Sequence, residues 1–272
     1  MNWLRNPATE TQITHGSRLW LYALGVLVMV FLVVPTLLVI PMSFSASQYL
    51  EFPPRQWSLR WYQSYFNSTS WMQATATSIK AGLLTALVAT PMGTLAAYGL
   101  LVSRMKHTGL LTMLLITPMV VPVILIGIGV FYAYVRLKLV NSLPGLVLAH
   151  SMLAIPVVML VVSSALKSFD FDQERVARSL GASRFRAFMQ VTLPQIQFTV
   201  VTGAVLAFLT SFDEIIVSLF VSGGENSTLT RNMFNALRDQ IDPTIAAIST
   251  LIVIITSVLL VITQLLGRKN PR

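Results

Sequence analysis

The chain has 272 residues, of which 54% are apolar and only 11% charged, with a net charge of +9 and no cysteine. A soluble domain carries about twice that charged share, so the charge cannot cover a water-exposed surface and a membrane protein is implied first. The basic residues lie in short stretches between apolar runs, which points to membrane topology and anionic lipid rather than nucleic acid. The missing cysteine excludes disulfides and thiolate chemistry.

Residues 1–18 are polar and lack the basic-then-apolar order of a cleaved leader, so they read as a cytoplasmic segment before a retained span. A spanning helix needs about 20 apolar residues. Six stretches qualify: Leu19–Pro41, Ala81–Val102, Gly109–Val135, Leu143–Leu166, Phe198–Val221 and Thr244–Leu266. The predicted fold class is an all-α membrane protein with six transmembrane helices over 19–266 and a short tail at 267–272. Pro35, Pro91, Pro118, Pro122, Gly127, Gly129 and Pro156 fall inside these stretches. They mark either close bundle packing or hinges.

Between the first two spans, Tyr49, Phe52, Trp57, Trp61, Tyr62, Tyr65, Phe66 and Trp71 suit the headgroup level and predict a helix along the interface. Between the last two, Leu229, Met233, Phe234 and Leu237 give a short helix one apolar face. That face rests on the bundle or meets an external partner. With the N-terminus inside, twelve of the 19 basic residues fall on the cytoplasmic side, so both termini are expected there.

The cytoplasmic stretch 167–195 reads KSFDFDQERVARSLGASRFRAFMQVTLPQ. Asp170 or Asp172 caps a first helix running to about Leu180, and Gly181 ends it. Ser183 caps a second helix, Arg184–Gln190, and Pro194 stops that one. The product is an elbow under the membrane that either lies on anionic lipid or docks a cytoplasmic partner.

Asp213 and Glu214 are acids within the fifth stretch. Such groups face protein or water, because an uncompensated acid in hydrocarbon costs several kcal/mol. Thr210, Glu214 and Ser218 recur at four-residue steps and predict one polar stripe. The acids attract a cationic substrate, pair with a partner's basic residue, or fix a helix bend. No phosphate-cradling G-x-x-x-x-G-K-[ST] occurs, and His15, His107 and His150 are scattered. No catalytic residue and no metal-ligand set is expected. The absence of an internal repeat counts against a self-sufficient secondary transporter, which would use Asp213 and Glu214 for protons.

The elbow resembles the signature of ABC importer permeases: E-A-A, three residues, G, nine residues, I-x-L-P. Gly181 is followed by nine residues and then Val191, Thr192, Leu193 and Pro194, and Ala177 matches the second alanine. Arg175 and Val176 stand where the pattern has the glutamate and first alanine, with Glu174 one position earlier. The stretches SFDEIIVSLFVSG, NMFNALRDQIDPTIAAIST and PPRQWSLRWYQSYF look like the second permease of spermidine or putrescine importers. Related subfamilies carry opines or aminophosphonates.

The resemblance covers nearly the whole chain after Leu19. It implies a type I permease fold, multi-pass in the bacterial cytoplasmic (inner) membrane. Glu174, Arg175, Ala177, Leu180, Gly181, Ala182 and Arg184 would then couple to the ATPase, and Thr210, Asp213, Glu214 and Ser218 would line the substrate path. The implied partners are a second permease, a homodimeric ATP-binding subunit, an extracytoplasmic solute-binding protein and membrane lipid. The chain would hold no cofactor, and ATP and Mg would sit in the ATPase subunits.

Overall fold

A computed structural model describes residues 15–103, 106–239 and 242–268, with side-chain surroundings described to 258 and at 261. The expected N-terminal segment up to 14, Arg104 and the tail from 269 lie outside the described residues. Twelve α-helices follow one another among the described residues: α1 (Leu19–Ser43), α2 (Arg60–Asn67), α3 (Thr69–Val102), α4 (Thr108–Val120), α5 (Val123–Leu137), α6 (Leu143–Lys167), α7 (Asp172–Ser179), α8 (Arg184–Ala187), α9 (Leu193–Phe212), α10 (Ile216–Val221), α11 (Leu229–Asp239) and α12 (Thr244–Arg268). They fall into two compact units: Met1–Tyr65 with Ile241–Leu260, and Phe66–Gln240 with Val261–Arg272.

In the first unit, α1 is apolar throughout and exposed at every position from Leu19 to Leu37, with Phe31 at 74%. Such a surface is stable only against lipid or other helices. The aromatic loop folds back on the end of α1. The Ser43 Oγ and Tyr62 OH lie 2.7 Å apart, and the Trp61 indole N–H donates to the Ser47 carbonyl at 3.1 Å. Trp61 and Tyr65 are buried on α2, while Tyr49, Phe52, Trp57 and Phe66 stay exposed.

In the second unit α3, α6 and α9 form the core. Ser68 caps α3 by accepting from the Trp71 N–H, and Ser142 caps α6 by accepting from the Gly145 N–H. The three helices meet at Val158. A Cβ on Gly93 would lie 2.7 Å from the Val158 Cβ and 2.9 Å from the Ile155 carbonyl oxygen. Small residues thus let the backbones approach, which is how helices gain packing in lipid. Ala89, Ala97, Ala154, Val162 and Ala207 complete this cluster. The hydroxyls of Thr75, Thr112, Thr202 and Thr210 each donate to the carbonyl four residues back.

All six apolar stretches lie on helix, but two are not the continuous spans expected. Among the described residues four helices are long and apolar enough to cross a membrane, and α4 with α5, bent by 99° at their break, count as a fifth if the pair is one span. The bend replaces the single span expected over Gly109–Val135. Its cause is Pro122, which lacks an N–H and keeps Val121 extended (φ −71°, ψ 134°). Pro35, Pro91, Pro118 and Pro156 remain inside helices. The second stretch is longer than expected, because its helix already starts at Thr69. The sixth lies on the 25-residue α12.

The fifth stretch is broken at Asp213–Ile215, between α9 and α10. At its other end the helix does not stop at Pro194. A π-turn, Phe188–Thr192, carries α8 into α9, so the helical run is Arg184–Phe212. Pro194 follows that π-turn, within the helical run.

Candidate functional site

The elbow is built by local chemistry. The Asp170 carboxylate accepts from the Asp172 N–H at 3.0 Å and opens α7. At the far end the Ala182 N–H donates to the Ala177 carbonyl and the Gly181 N–H to the Arg178 carbonyl, closing a Schellman turn. That turn requires the left-handed backbone of Gly181, φ +94°. The Ser183 Oγ then accepts from the Arg186 N–H and starts α8. The tip is exposed and apolar, with Leu180 at 84% and Phe185 at 67%. Arg175 pairs with Asp172 across one turn on the open face. Arg184 and Arg178 line a cavity of about 290 Å3 between the elbow and the end of α3.

Glu174, the expected acidic contact, points the other way. It is only 4% exposed. Its Oε1 accepts from the Tyr98 hydroxyl of α3 at 2.6 Å, and its Oε2 accepts from the Thr192 hydroxyl at the π-turn at 2.9 Å. Tyr98 also packs on Phe188, ring centres 4.6 Å apart. The carboxylate therefore ties the elbow to two helices of the bundle. Charge-assisted hydrogen bonds of this kind are about twice as strong as neutral ones.

The second cluster surrounds the break at Asp213–Ile215. The Glu214 carboxylate accepts from the Val217 N–H at 2.8 Å and serves as an N-terminal cap of α10. Asp213, beside it, is exposed. The expected stripe of Thr210, Glu214 and Ser218 is interrupted, because the helix breaks at Asp213–Ile215. Thr210 donates to its own Leu206 carbonyl, and Ser218 is buried.

Two residues that pattern reasoning passed over organise this region. His150 of α6 is 1% exposed, with Nδ1 2.7 Å from the Ser211 Oγ and Nε2 3.1 Å from the Ser218 Oγ. The Ser218 hydroxyl donates to the Glu214 carbonyl at 2.8 Å. Its proton is thereby used, so Nε2–H donates to Ser218 and Nδ1 accepts from Ser211. A lone ionisable group inside an apolar span was the signal for His150. Arg231 of α11 donates to the Ser218 carbonyl at 3.3 Å and the Ser222 Oγ at 3.4 Å, placing positive charge at the C-terminal end of α10. Burial draws its guanidinium below the ordinary arginine value.

On the same side, α11 is seated on α3. The Leu229 N–H donates to the Ser78 Oγ at 2.8 Å and Leu229 is buried, whereas Phe234 and Leu237 remain exposed. Next to it, Gln73, Glu225, Arg231, Asn232 and Asn235 line a polar cavity of about 470 Å3. Among the described residues no group of His, Asp and Glu is arranged to hold a metal ion.

Fold and site together define a multi-pass helical membrane protein whose transverse elbow is pinned to its bundle. Residues 89–270 match the family model described as binding-protein-dependent transport system inner membrane component, and the chain belongs to that family. It is a transport component rather than an enzyme.

It is 30% identical over 240 residues to the putrescine transport system permease protein PotI of Escherichia coli K12, covering 86% of this chain and 85% of that one. It is 28% identical over 241 residues to the spermidine/putrescine transport system permease protein PotC of Haemophilus influenzae, covering 88% and 93%. Among solved structures it resembles a chain of a bacterial alginate ABC transporter in complex with a periplasmic protein bound to an alginate pentasaccharide. That likeness has a TM-score of 0.71 and 14% identity and covers 93% and 96%. At that identity it speaks for the fold alone.

Proposed function

We propose that this chain is one of the two membrane subunits of an ATP-driven importer that carries a polyamine, putrescine or spermidine, inward across the bacterial cytoplasmic membrane. The observation that carries the substrate class is Asp213: an exposed carboxylate at a helix break inside an apolar run, beside an acid already used as a cap. A carboxylate there offsets the hydration an ammonium group loses on leaving water. An anionic solute gains nothing from it. The relatives that transport putrescine and spermidine support the same class.

The elbow tip, with Leu180, Phe185, Arg175 and Arg184, docks in a homodimeric ATP-binding subunit, which holds ATP and Mg. Gly181 and Ala182 shape the turn, Ala177 closes it, and Glu174 anchors it from behind. A second permease completes the path, and a solute-binding protein delivers to the outer loops. Both termini are then cytoplasmic, as the basic residues favour.

The test is uptake of labelled putrescine and spermidine in cells carrying the whole system, with and without this chain. Unlabelled opines, aminophosphonates and amino acids serve as competitors. Loss of polyamine uptake on deletion is the expected result. Retained polyamine uptake with loss of another solute moves the substrate to that class.

A further inference from the structure

The buried histidine has no part in the function above, yet it bridges the break at Asp213–Ile215. We propose that His150 is a latch: it holds α10, and α5 with it, against the α3–α6–α9 core, and its release lets that pair swing about two helix breaks. The proposal rests on the transport reading for its purpose, though not for its geometry.

α10 is only six residues long. A helix that short does not hold itself and is placed by its neighbours. One neighbour is α5. Phe220 sits over Gly127, where an added Cβ would lie 2.6 Å from its ring. The Asn141 N–H donates to the Val221 carbonyl at 2.8 Å, and the Asn226 amide donates to the Asn141 carbonyl at 2.8 Å. Val217 and Val221 are fully buried in one cluster with Tyr134 of α5 and Leu146 of α6. The contacts of Phe220, Val217 and Val221 pack α10 on α5.

The same cluster holds Ala81 of α3 and Val147, Ala149 and Leu153 of α6, so the pair also rests on the core by apolar packing, while its helical continuity with the core is broken. Val121–Pro122 interrupts the helix on the α5 side. Asp213–Ile215 interrupts it on the α10 side, where the Glu214 N–H reaches the Ser211 carbonyl only at 3.4 Å. A directed chain of hydrogen bonds spans the second break: Ser211 hydroxyl to His150 Nδ1, Nε2–H to Ser218 Oγ, and Ser218 hydroxyl to the Glu214 carbonyl. His150 stands on α6, so the chain secures both sides of the break to the core. Two such bonds bias an equilibrium without freezing it, which is what an alternating conformation needs.

The chain contains no cysteine, so within it introduced cysteines alone carry spin labels, and it is labelled before the complex is assembled. One pair is Tyr132→Cys on α5 and Leu160→Cys on α6; the control pair is Leu95→Cys on α3 and Leu160→Cys, all exposed positions. Distances are measured by pulsed electron resonance in the complete complex in lipid nanodiscs, without nucleotide or solute. Ser218→Ala removes the hydroxyl on α10 that His150 Nε2–H donates to, and should raise a second 132–160 distance population about tenfold. His150→Ala should raise it further. His150→Gln, whose amide keeps one acceptor and one donor, should fall nearer the native distribution. The 95–160 distance should stay fixed in all of them.

Because His150 hydrogen-bonds Ser218 on α10 rather than a residue of α5, movement of the α5 label also tests whether the two helices travel together. An unchanged 132–160 distribution in both alanine variants overturns the latch. Equal broadening of the control pair overturns it too, since that is general loosening. A shifted 132–160 distance in a complex that imports no polyamine supports the latch and removes the substrate assignment. Normal polyamine uptake with unmoved distances removes the latch alone.

Discussion

Replacing Glu174 by alanine should detach the elbow while leaving the bundle folded. The carboxylate is buried and accepts two hydroxyl hydrogen bonds, from Tyr98 and Thr192. Its loss leaves both hydroxyls without that partner, at about 1–3 kcal/mol each. The elbow's local opening should become about 2–6 kcal/mol easier, a factor of at least about 30. Tyr98→Phe removes a single bond to a charged acceptor and should cost about 1.5–3 kcal/mol. Trypsin reads the opening directly, because Arg175, Arg178, Arg184 and Arg186 are exposed but held in or beside short helices. Cleavage there tracks the population of the opened state. Nicking of the permease in nanodiscs should accelerate in the order wild type, Tyr98→Phe, Glu174→Ala, and the double variant should be no faster than Glu174→Ala. Gln195→Ala removes an exposed side-chain bond to Gln173 and should change nicking less than about twofold. Nicking of Glu174→Ala at the native rate would refute the anchor and return Glu174 to the docking surface.

Other outcomes follow from the same geometry. Gly181→Pro should abolish transport without preventing membrane insertion, because proline fixes a negative φ where +94° is needed and removes the N–H given to Arg178; uptake measured beside membrane-fraction blots checks this. Asp213→Asn should raise the KM for putrescine about tenfold, while Glu214→Gln, which keeps a capping oxygen for Val217, should change it much less; concentration-dependent uptake separates the two. Gly93→Ala should cost about 1–3 kcal/mol by driving a methyl into Val158 and the Ile155 carbonyl, seen as a lower unfolding midpoint of the purified complex.

The elbow shows where pattern reading succeeds. Gly181 and Ser183 act on backbone groups within a few residues of themselves, so their roles followed from local rules. The facing of Glu174 did not, since the same helix presents Arg175 to solvent and Glu174 to Tyr98, 76 positions away. The fifth stretch shows the opposite lesson. A polar stripe through Thr210, Glu214 and Ser218 presumed an unbroken helical period. The Glu214 side chain instead caps a new helix at Val217, and that local bond, reinforced by His150, ends the old one.

Composition alone settled that this chain lives in lipid, and the length of its apolar runs settled where it is helical, because lipid leaves the backbone no other way to satisfy its hydrogen bonds. The spacing after Gly181 pointed to the family. Tertiary structure decided the rest: which of two adjacent acids is a cap and which is exposed, that Glu174 faces inward, and that a lone histidine joins three helices. The last two depend on which atoms meet across 61 to 76 positions of chain, and no short-range pattern encodes such meetings.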